Sequence, residues 1–128
     1  MLTAGMVFAG LAAALHVLIF YMESIAWEGA LARKTFGGTP EEVRPHAFYA
    51  FNQGFYNLFL ALQAIIGVVL AALGYAAIGA ALILAGTGAM LAAAVVLALA
   101  STPHRSAAAK QGTFPLLAVV CTLAALLG

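Results

Sequence analysis

Four long apolar stretches divide the chain, and each is long enough to cross a lipid bilayer. A spanning helix needs about 20 mostly apolar residues to cross about 30 Å of hydrocarbon. The predicted spans are residues 3–27, 45–73, 76–100 and 107–127. Of the 128 residues, 66% are hydrophobic and 7% are charged, whereas a soluble domain carries about 25% charged residues. The chain is therefore predicted to be a single transmembrane domain, residues 1–128.

The spans are predicted to be helices. A segment in lipid must satisfy its own backbone polar groups, so that only helices and closed barrels cross membranes. The spans show no alternation of period two, and their Ala and Leu content favours helix. The short turn at residues 74–75 makes the second and third spans an antiparallel hairpin. We predict an all-α fold, an integral membrane four-helix bundle with up-down-up-down topology.

The distribution of Lys and Arg predicts the orientation. The five cationic residues all fall in residues 28–44 or 101–110, on one face of such a bundle: Arg33, Lys34, Arg44, Arg105 and Lys110. The other face, with both termini, has none. Because cytoplasmic loops carry the excess of Lys and Arg, loops 28–44 and 101–106 are predicted to be cytoplasmic and both termini outside. The compact, Ala-rich chain is typical of a bacterial inner (plasma) membrane protein.

Several classes of protein are excluded or disfavoured. Five cations are too few for a nucleic-acid-binding patch, so no nucleic acid partner is expected. The N-terminal apolar stretch lacks a positively charged start and runs on to His16 and Glu23, which predicts a retained span and not a signal peptide. The single cysteine, Cys121, cannot form an intrachain disulfide.

The first loop carries signals for a helix start. Thr39 is a suitable cap, Pro40 suits the first helical position, and Glu42 lies three residues after the cap. Pro45, one turn later, is expected to kink or restart the helix.

The third span is rich in small residues. Alanines recur there at every fourth position: Ala77, Ala81, Ala85, Ala89 and Ala93. Small residues at this spacing allow two helices to approach closely in lipid. The Gly86-Thr87-Gly88 run in the middle of the span is also interpreted as close packing, because no strand precedes it as a phosphate-binding loop would require.

The few polar side chains of the first two spans are spaced to share inward faces. Such groups are expensive in hydrocarbon and should point into the bundle. His16, Phe20, Glu23 and Trp27 follow spacings of four, three and four, which place them on one helical stripe. The second span carries a polar arc formed by His46, Tyr49, Asn52, Gln53, Tyr56, Asn57 and Gln63.

Depth along the spans predicts that these groups converge. Glu23 and Asn52 lie near the cytoplasmic ends of their spans, and Gln111 flanks the second cytoplasmic loop. We predict one polar cavity that opens toward the cytoplasm, with His16 at its floor. Simpler interpretations stay open: the amides bridge helices, His16 is a neutral core histidine with its hydrogen bonds satisfied, Glu23 pairs with Arg33 or Lys34, and Trp27 and Tyr49 are membrane-border residues.

The polar groups are suited to acid–base chemistry on a lipophilic molecule. A His and a Glu separated by one or two turns can shuttle a proton, which makes His16 and Glu23 the candidate catalytic pair. The candidate ligand-binding residues are Trp27, His46, Tyr49, Asn52, Gln53, Tyr56, Asn57 and Gln111. The sequence identifies no cofactor. His16, Glu23 and His46 are conceivable metal ligands, but no His-x-x-x-His, Glu-x-x-His or Cys pair occurs, and no metal site is predicted.

Three motifs carry a resemblance to a known family. They are HVLIFYME at residues 16–23, NQGFYN at residues 52–57 and QGTFP at residues 111–115. Together they resemble the signature of small four-helix membrane proteins catalogued as domain of unknown function 1304, and the likeness covers almost the whole chain. The resemblance implies a four-helix membrane fold without implying a reaction. Its motif positions are His16, Glu23, Asn52, Gln53, Gly54, Tyr56, Asn57, Gln111, Gly112 and Pro115.

Functions of different classes fit these features. The first is binding or processing of a small lipophilic molecule in the polar cavity. The second is a small proton-coupled transporter, although the five-to-none charge asymmetry argues against the antiparallel dimers of small multidrug exporters. The third is a non-catalytic membrane subunit that packs through its Ala/Gly-rich third helix, and a metal or haem site is a minor fourth. The lipid bilayer and a small lipophilic ligand are the expected partners, and a homo-oligomer stays open.

Overall fold

The structure, a computed structural model, describes all 128 residues and contains helices and no strand. Helix α1 covers Leu2–Phe20 and continues into a π-helical turn over Tyr21–Ile25. Two short helices follow, α2 over Ala30–Phe36 and α3 over Pro40–Val43, with a 3-10 turn over Arg44–His46. The remaining helices are α4 over Ala47–Ala72, α5 over Ala76–Ala100 and, after a 3-10 turn over Thr102–His104, α6 over Arg105–Leu127.

Four helical segments are long and apolar enough to cross a membrane, as predicted. They are Leu2–Ile25, Pro40–Ala72, Ala76–Ala100 and Thr102–Leu127. The third matches its predicted bounds, whereas the second and fourth start five residues earlier, because helical structure already begins in the preceding loop. These segments make the chain an all-α, multi-pass membrane protein.

The contacts group into two compact units, Met1–Ala14 with Leu60–Gly128, and Leu15–Phe59. In the first unit, glycine sets the distance between α4 and α5. A Cβ atom on Gly79 would lie 2.5 Å from the backbone nitrogen of Ala71, and one on Gly86 would lie 3.2 Å from that of Ala64. The backbones therefore approach more closely than any side chain at Gly79 permits. The predicted close packing is confirmed at Gly86 and is wrong at Gly88, where nothing lies within 4 Å of an added Cβ atom.

The alanine row on α5 is not packed against another helix of this chain. The five alanines, Ala77, Ala81, Ala85, Ala89 and Ala93, are exposed. The buried face is a different one, formed by Gly79, Ala80, Ile83, Gly86, Thr87, Met90 and Ala94. Glycine explains the difference, because it brings two backbones closer than alanine does and so decides which face of α5 is covered.

Helix α6 completes the first unit. Gly112 lies against Ala94 of α5, where an added Cβ atom would be 2.9 Å from the Ala94 Cβ atom. Near the other end of α6, the buried Thr122 lies against Gly5 of α1. Small residues thus mark the close contacts of α6 as well.

The second unit, Leu15–Phe59, contains the end of α1, the first loop and the start of α4. The predicted helix start is confirmed: the Glu42 N–H donates to Thr39 Oγ1 at 3.3 Å, and the Thr39 N–H donates to Glu42 Oε2 at 2.9 Å. After Pro45 the helix restarts at Ala47, as expected. The additional helix α2 packs Ala32 against Ile19 and Met22 of the first span.

Candidate functional site

The last turn of the first span is π-helical and carries Glu23 at its centre. The Ala26 N–H donates to the Tyr21 carbonyl oxygen at 2.9 Å, a bond between residues five apart. Helices rarely contain such turns, and those that occur lie frequently at functional sites. The π-helical turn therefore gives the side chains of Glu23 and Ser24 a different direction from the one they would have in a regular α-helix.

Glu23 is buried and bonded to an amide of α4. Its exposed fraction is 9%. Asn57 Nδ2 donates to Glu23 Oε2 at 2.9 Å and also to the Gln53 carbonyl oxygen at 3.2 Å. No hydrogen bond from the protein reaches the second carboxyl oxygen, Oε1. One oxygen of Glu23 is therefore held in place, and the other is free to accept a hydrogen bond.

Gly54 allows the two helices to meet at this point. A Cβ atom on Gly54 would lie 2.0 Å from Ser24 Oγ and 3.1 Å from Glu23 Cβ. The Ser24 hydroxyl donates to the Phe51 carbonyl oxygen at 2.7 Å. The absence of a side chain at Gly54 thus permits both the Ser24 bond and the bond between Glu23 and Asn57.

Aromatic rings also join these two segments. Phe20, one turn before Glu23, packs edge-on against Phe55 with the ring centroids 5.1 Å apart. Phe55 also contacts Phe51 at 5.0 Å and Phe59 at 6.2 Å along α4. Phe20 of the first span and Phe55 of α4 therefore pack together in the same two segments that the bond between Glu23 and Asn57 joins.

Trp27 is fixed within the first loop. Its indole N–H donates to the Val43 carbonyl oxygen at 2.8 Å. The Arg33 guanidinium lies 4.3 Å from the centroid of the Trp27 ring, and its Nε donates to the Trp27 carbonyl oxygen at 3.0 Å. Arg33 therefore bonds Trp27 and not Glu23. The structure has one ion pair, between Arg44 and Glu28. The alternative pairing of Glu23 with Arg33 or Lys34 is therefore wrong.

His16 is almost completely buried, with an exposed fraction of 1%. It lies seven residues before Glu23 on the same span, a rise of about 10 Å along the helix. Both groups of the predicted pair are therefore buried within the protein.

The expectation that the polar arc of the second span faces inward is wrong for most of its members. The exposed ones are His46, Tyr49, Asn52, Gln53 and Tyr56. The buried residues of α4 in this unit are the small Ala50 and Gly54, and Asn57 is half-buried. The small residues allow the first span to approach α4 closely at Gly54. The larger polar side chains lie beside this contact and stay exposed. Gln111 is half-buried in α6, in the other compact unit.

Two features of the site lie beyond what the sequence reasoning identified. They are the π-helical turn and the bond of Ser24 to Phe51. The sequence signal for this part of α4 is the NQGFYN motif, in which Gly54 lies close to amide side chains on both sides. No group of three or more His, Cys, Asp and Glu side chains is arranged to hold a metal ion.

Comparison with known proteins supports the motif resemblance. The family model described as Protein of unknown function (DUF1304) matches residues 10–123. The matched region contains all three motifs, together with Glu23, Gly54 and Asn57. No curated protein and no solved structure matches the chain. Because the family model covers most of its length, the chain belongs to the DUF1304 family.

Proposed function

We propose that Glu23 is the centre of an intramembrane site that binds or processes a small lipophilic molecule reached from the cytoplasmic side. The observation that carries the proposal is the buried carboxyl group, with Oε2 held by Asn57 and Oε1 without a protein donor. An ionisable side chain inside a membrane span is costly, and such residues usually mark functional pathways. A ligand hydroxyl or N–H group would donate to Oε1, while its apolar part would lie against Phe20 and Phe55.

His16 and Glu23 form the proposed proton-transfer pair. A general base must come within about 2.6–3.2 Å of the group it deprotonates, or act through one water. Since the two residues are separated by about 10 Å along the helix, they would act at opposite ends of one ligand or through bridging water. In the first case the ligand is elongated along α1, with a polar group near each end.

The exposed polar residues of the second span are proposed to form the entrance. The second span is 33 residues long, about 50 Å at 1.5 Å per residue. Because the hydrocarbon core is only about 30 Å thick, the first part of this span extends outside it. His46, Tyr49, Asn52, Gln53 and Tyr56 would then contact the polar end of an arriving ligand near the membrane surface, with Trp27 beside them. The assignment of Gln111 as a ligand contact depends on the sequence alone.

Mass spectrometry of co-purified molecules tests the proposal. Wild-type protein and the variants Glu23→Gln, His16→Ala and Glu28→Gln are purified in the same detergent, and their organic extracts are compared. Glu28→Gln is the matched control, because Glu28 is an exposed carboxyl group that pairs with Arg44. We expect a lipophilic species that is retained by wild type and Glu28→Gln and depleted in the other two. Identical extracts from all four folded proteins would contradict the proposal.

The orientation belongs to the same proposal. We place loops 28–44 and 101–106 in the cytoplasm and both termini outside a bacterial inner membrane, in an up-down-up-down bundle. The support is the location of all five Lys and Arg residues in residues 28–44 and 101–110.

A further inference from the structure

An open groove of about 350 Å³ runs between α5 and α6 at their loop ends. Arg105 lies at the loop end of the groove, and Leu91 and Leu116 lie at its deep end. The walls between them are mostly small residues, such as Ala98 and Ala109. The groove exists because these side chains are too small to fill the space between the helices. All of its lining residues belong to one compact unit.

The body of the groove offers no free polar group. Below Arg105, the polar side chain in the wall of the groove is Thr113. Its hydroxyl donates to the Ala109 carbonyl oxygen at 2.6 Å. The remaining wall residues below Arg105 are Ala, Gly, Val and Leu. An occupant of this part of the groove is therefore expected to be apolar.

Arg105 supplies a positive charge without a carboxylate to balance it. Its Nε donates to the Ala98 carbonyl oxygen at 3.0 Å, which holds the guanidinium across the mouth of the groove. Its two terminal nitrogens have no partner in the protein. All four acidic residues of the chain lie between positions 23 and 42, and this unit contains none of them. An external anion would complement the charge.

The length of the groove corresponds to one leaflet of a bilayer. Arg105 and Leu116 are eleven residues apart on α6, about 16 Å at 1.5 Å per residue. Half of the hydrocarbon core is about 15 Å. The length and the apolar wall of the groove match one hydrocarbon chain that lies along a single leaflet.

We propose that this groove binds one acyl chain of an anionic phospholipid from the leaflet on the loop side, with the Arg105 guanidinium on its phosphate. The planar fork of a guanidinium matches two phosphate oxygens. The site is independent of Glu23, because it uses different helices and a different ligand class.

Native mass spectrometry in detergent tests the proposal. Phosphatidylglycerol or phosphatidylcholine is titrated into the purified protein, and the first bound lipid is quantified. We expect the wild type to bind phosphatidylglycerol more tightly, and Arg105→Gln to weaken that binding about tenfold. Lys110→Gln, which removes an exposed charge outside the groove, is expected to bind like the wild type.

A second pair of variants tests the groove itself. Ala109→Phe fills the space, whereas Ala107→Phe places the same ring on an exposed position outside the lining. We expect only the first to lose the bound lipid. If Arg105→Gln does not fold, Arg105→Lys is used in its place. A smaller loss of phosphatidylglycerol binding is then expected, because lysine keeps the charge but lacks the planar guanidinium that contacts two phosphate oxygens. Equal binding of both lipids by the wild type, equal losses in Arg105→Gln and Lys110→Gln, or unchanged binding by Ala109→Phe would overturn the proposal.

Discussion

The side-chain amide of Asn57 donates to the carboxyl group of Glu23 across 2.9 Å, between residues 34 positions apart in the sequence. The contact joins the π-helical end of the first span to the second span within one compact unit. A buried polar group without a hydrogen-bond partner costs more free energy of folding than a typical hydrogen bond contributes. The pair should therefore contribute to stability as well as to the proposed site.

Replacement of Asn57 by leucine is expected to destabilise the protein by about 1–3 kcal/mol, because Glu23 loses the donor to Oε2. The measurement is thermal or SDS-induced unfolding of purified protein. Asn52→Leu is the matched control, since Asn52 is exposed on the same helix and its replacement should change stability by no more than ~0.5 kcal/mol. Equal effects of the two substitutions would show that the bond adds nothing.

A double-mutant cycle isolates this bond. Glu23→Leu combined with Asn57→Leu should cost less than the sum of the single changes, with a coupling of about 0.5–3 kcal/mol. Strict additivity would argue that the two side chains do not interact in the membrane.

Gly54→Ala is expected to destabilise the protein by about 1–3 kcal/mol, since the new methyl group would overlap Ser24 Oγ and force the helices apart. Gly10→Ala is the control: nothing lies within 4 Å of its added Cβ atom, and alanine should stabilise the helix by about 0.5–1 kcal/mol. Thermal unfolding of both proteins measures the difference. Addition of Ser24→Gly to Gly54→Ala should restore part of the loss, and the absence of any restoration would place the strain elsewhere.

The single tryptophan provides an optical reporter of the first loop. Arg33→Gln removes the guanidinium over the Trp27 ring and the bond to its carbonyl oxygen. We expect the Trp27 fluorescence emission to change in position or intensity. Lys34→Gln removes the neighbouring charge, which is exposed, and should leave the spectrum unchanged. Identical spectra from both variants would mean that Arg33 does not contact the indole.

Two buried threonines should respond oppositely to valine. Thr122 Oγ1 is buried without a hydrogen-bond partner, so Thr122→Val should be neutral or stabilising by about 1 kcal/mol. Thr87 Oγ1 donates to the Ile83 carbonyl oxygen at 2.6 Å, so Thr87→Val should lose about 0.5–1.5 kcal/mol. Unfolding of the two variants under the same conditions compares them, and a shift of the same sign in both would contradict the expectation.

Cysteine labelling in intact cells tests the orientation. In a Cys121→Ala background, Tyr75→Cys should react with a membrane-impermeant maleimide from outside. Lys34→Cys should react only after the membrane is permeabilised. Both positions are exposed in the structure, so the reverse pattern would invert the proposed topology.

The sequence by itself determined the four spans and the capped helix start at Thr39. These features depend on hydrophobicity and on local backbone chemistry, which act within one segment of chain. The burial of His16 and Glu23 was also predictable, because ionisable groups in hydrocarbon must turn away from lipid.

Only the tertiary structure decided which polar residue of α4 meets Glu23 and which helix faces are covered. Asn52, Gln53 and Asn57 look alike as sequence signals, yet the close approach at Gly54 selects Asn57 and leaves the other two side chains exposed. The alanine row of α5 likewise stays uncovered, because glycines on another face allow a closer contact. Such choices depend on distances between segments far apart in the chain, and helical periodicity contains no information about those distances.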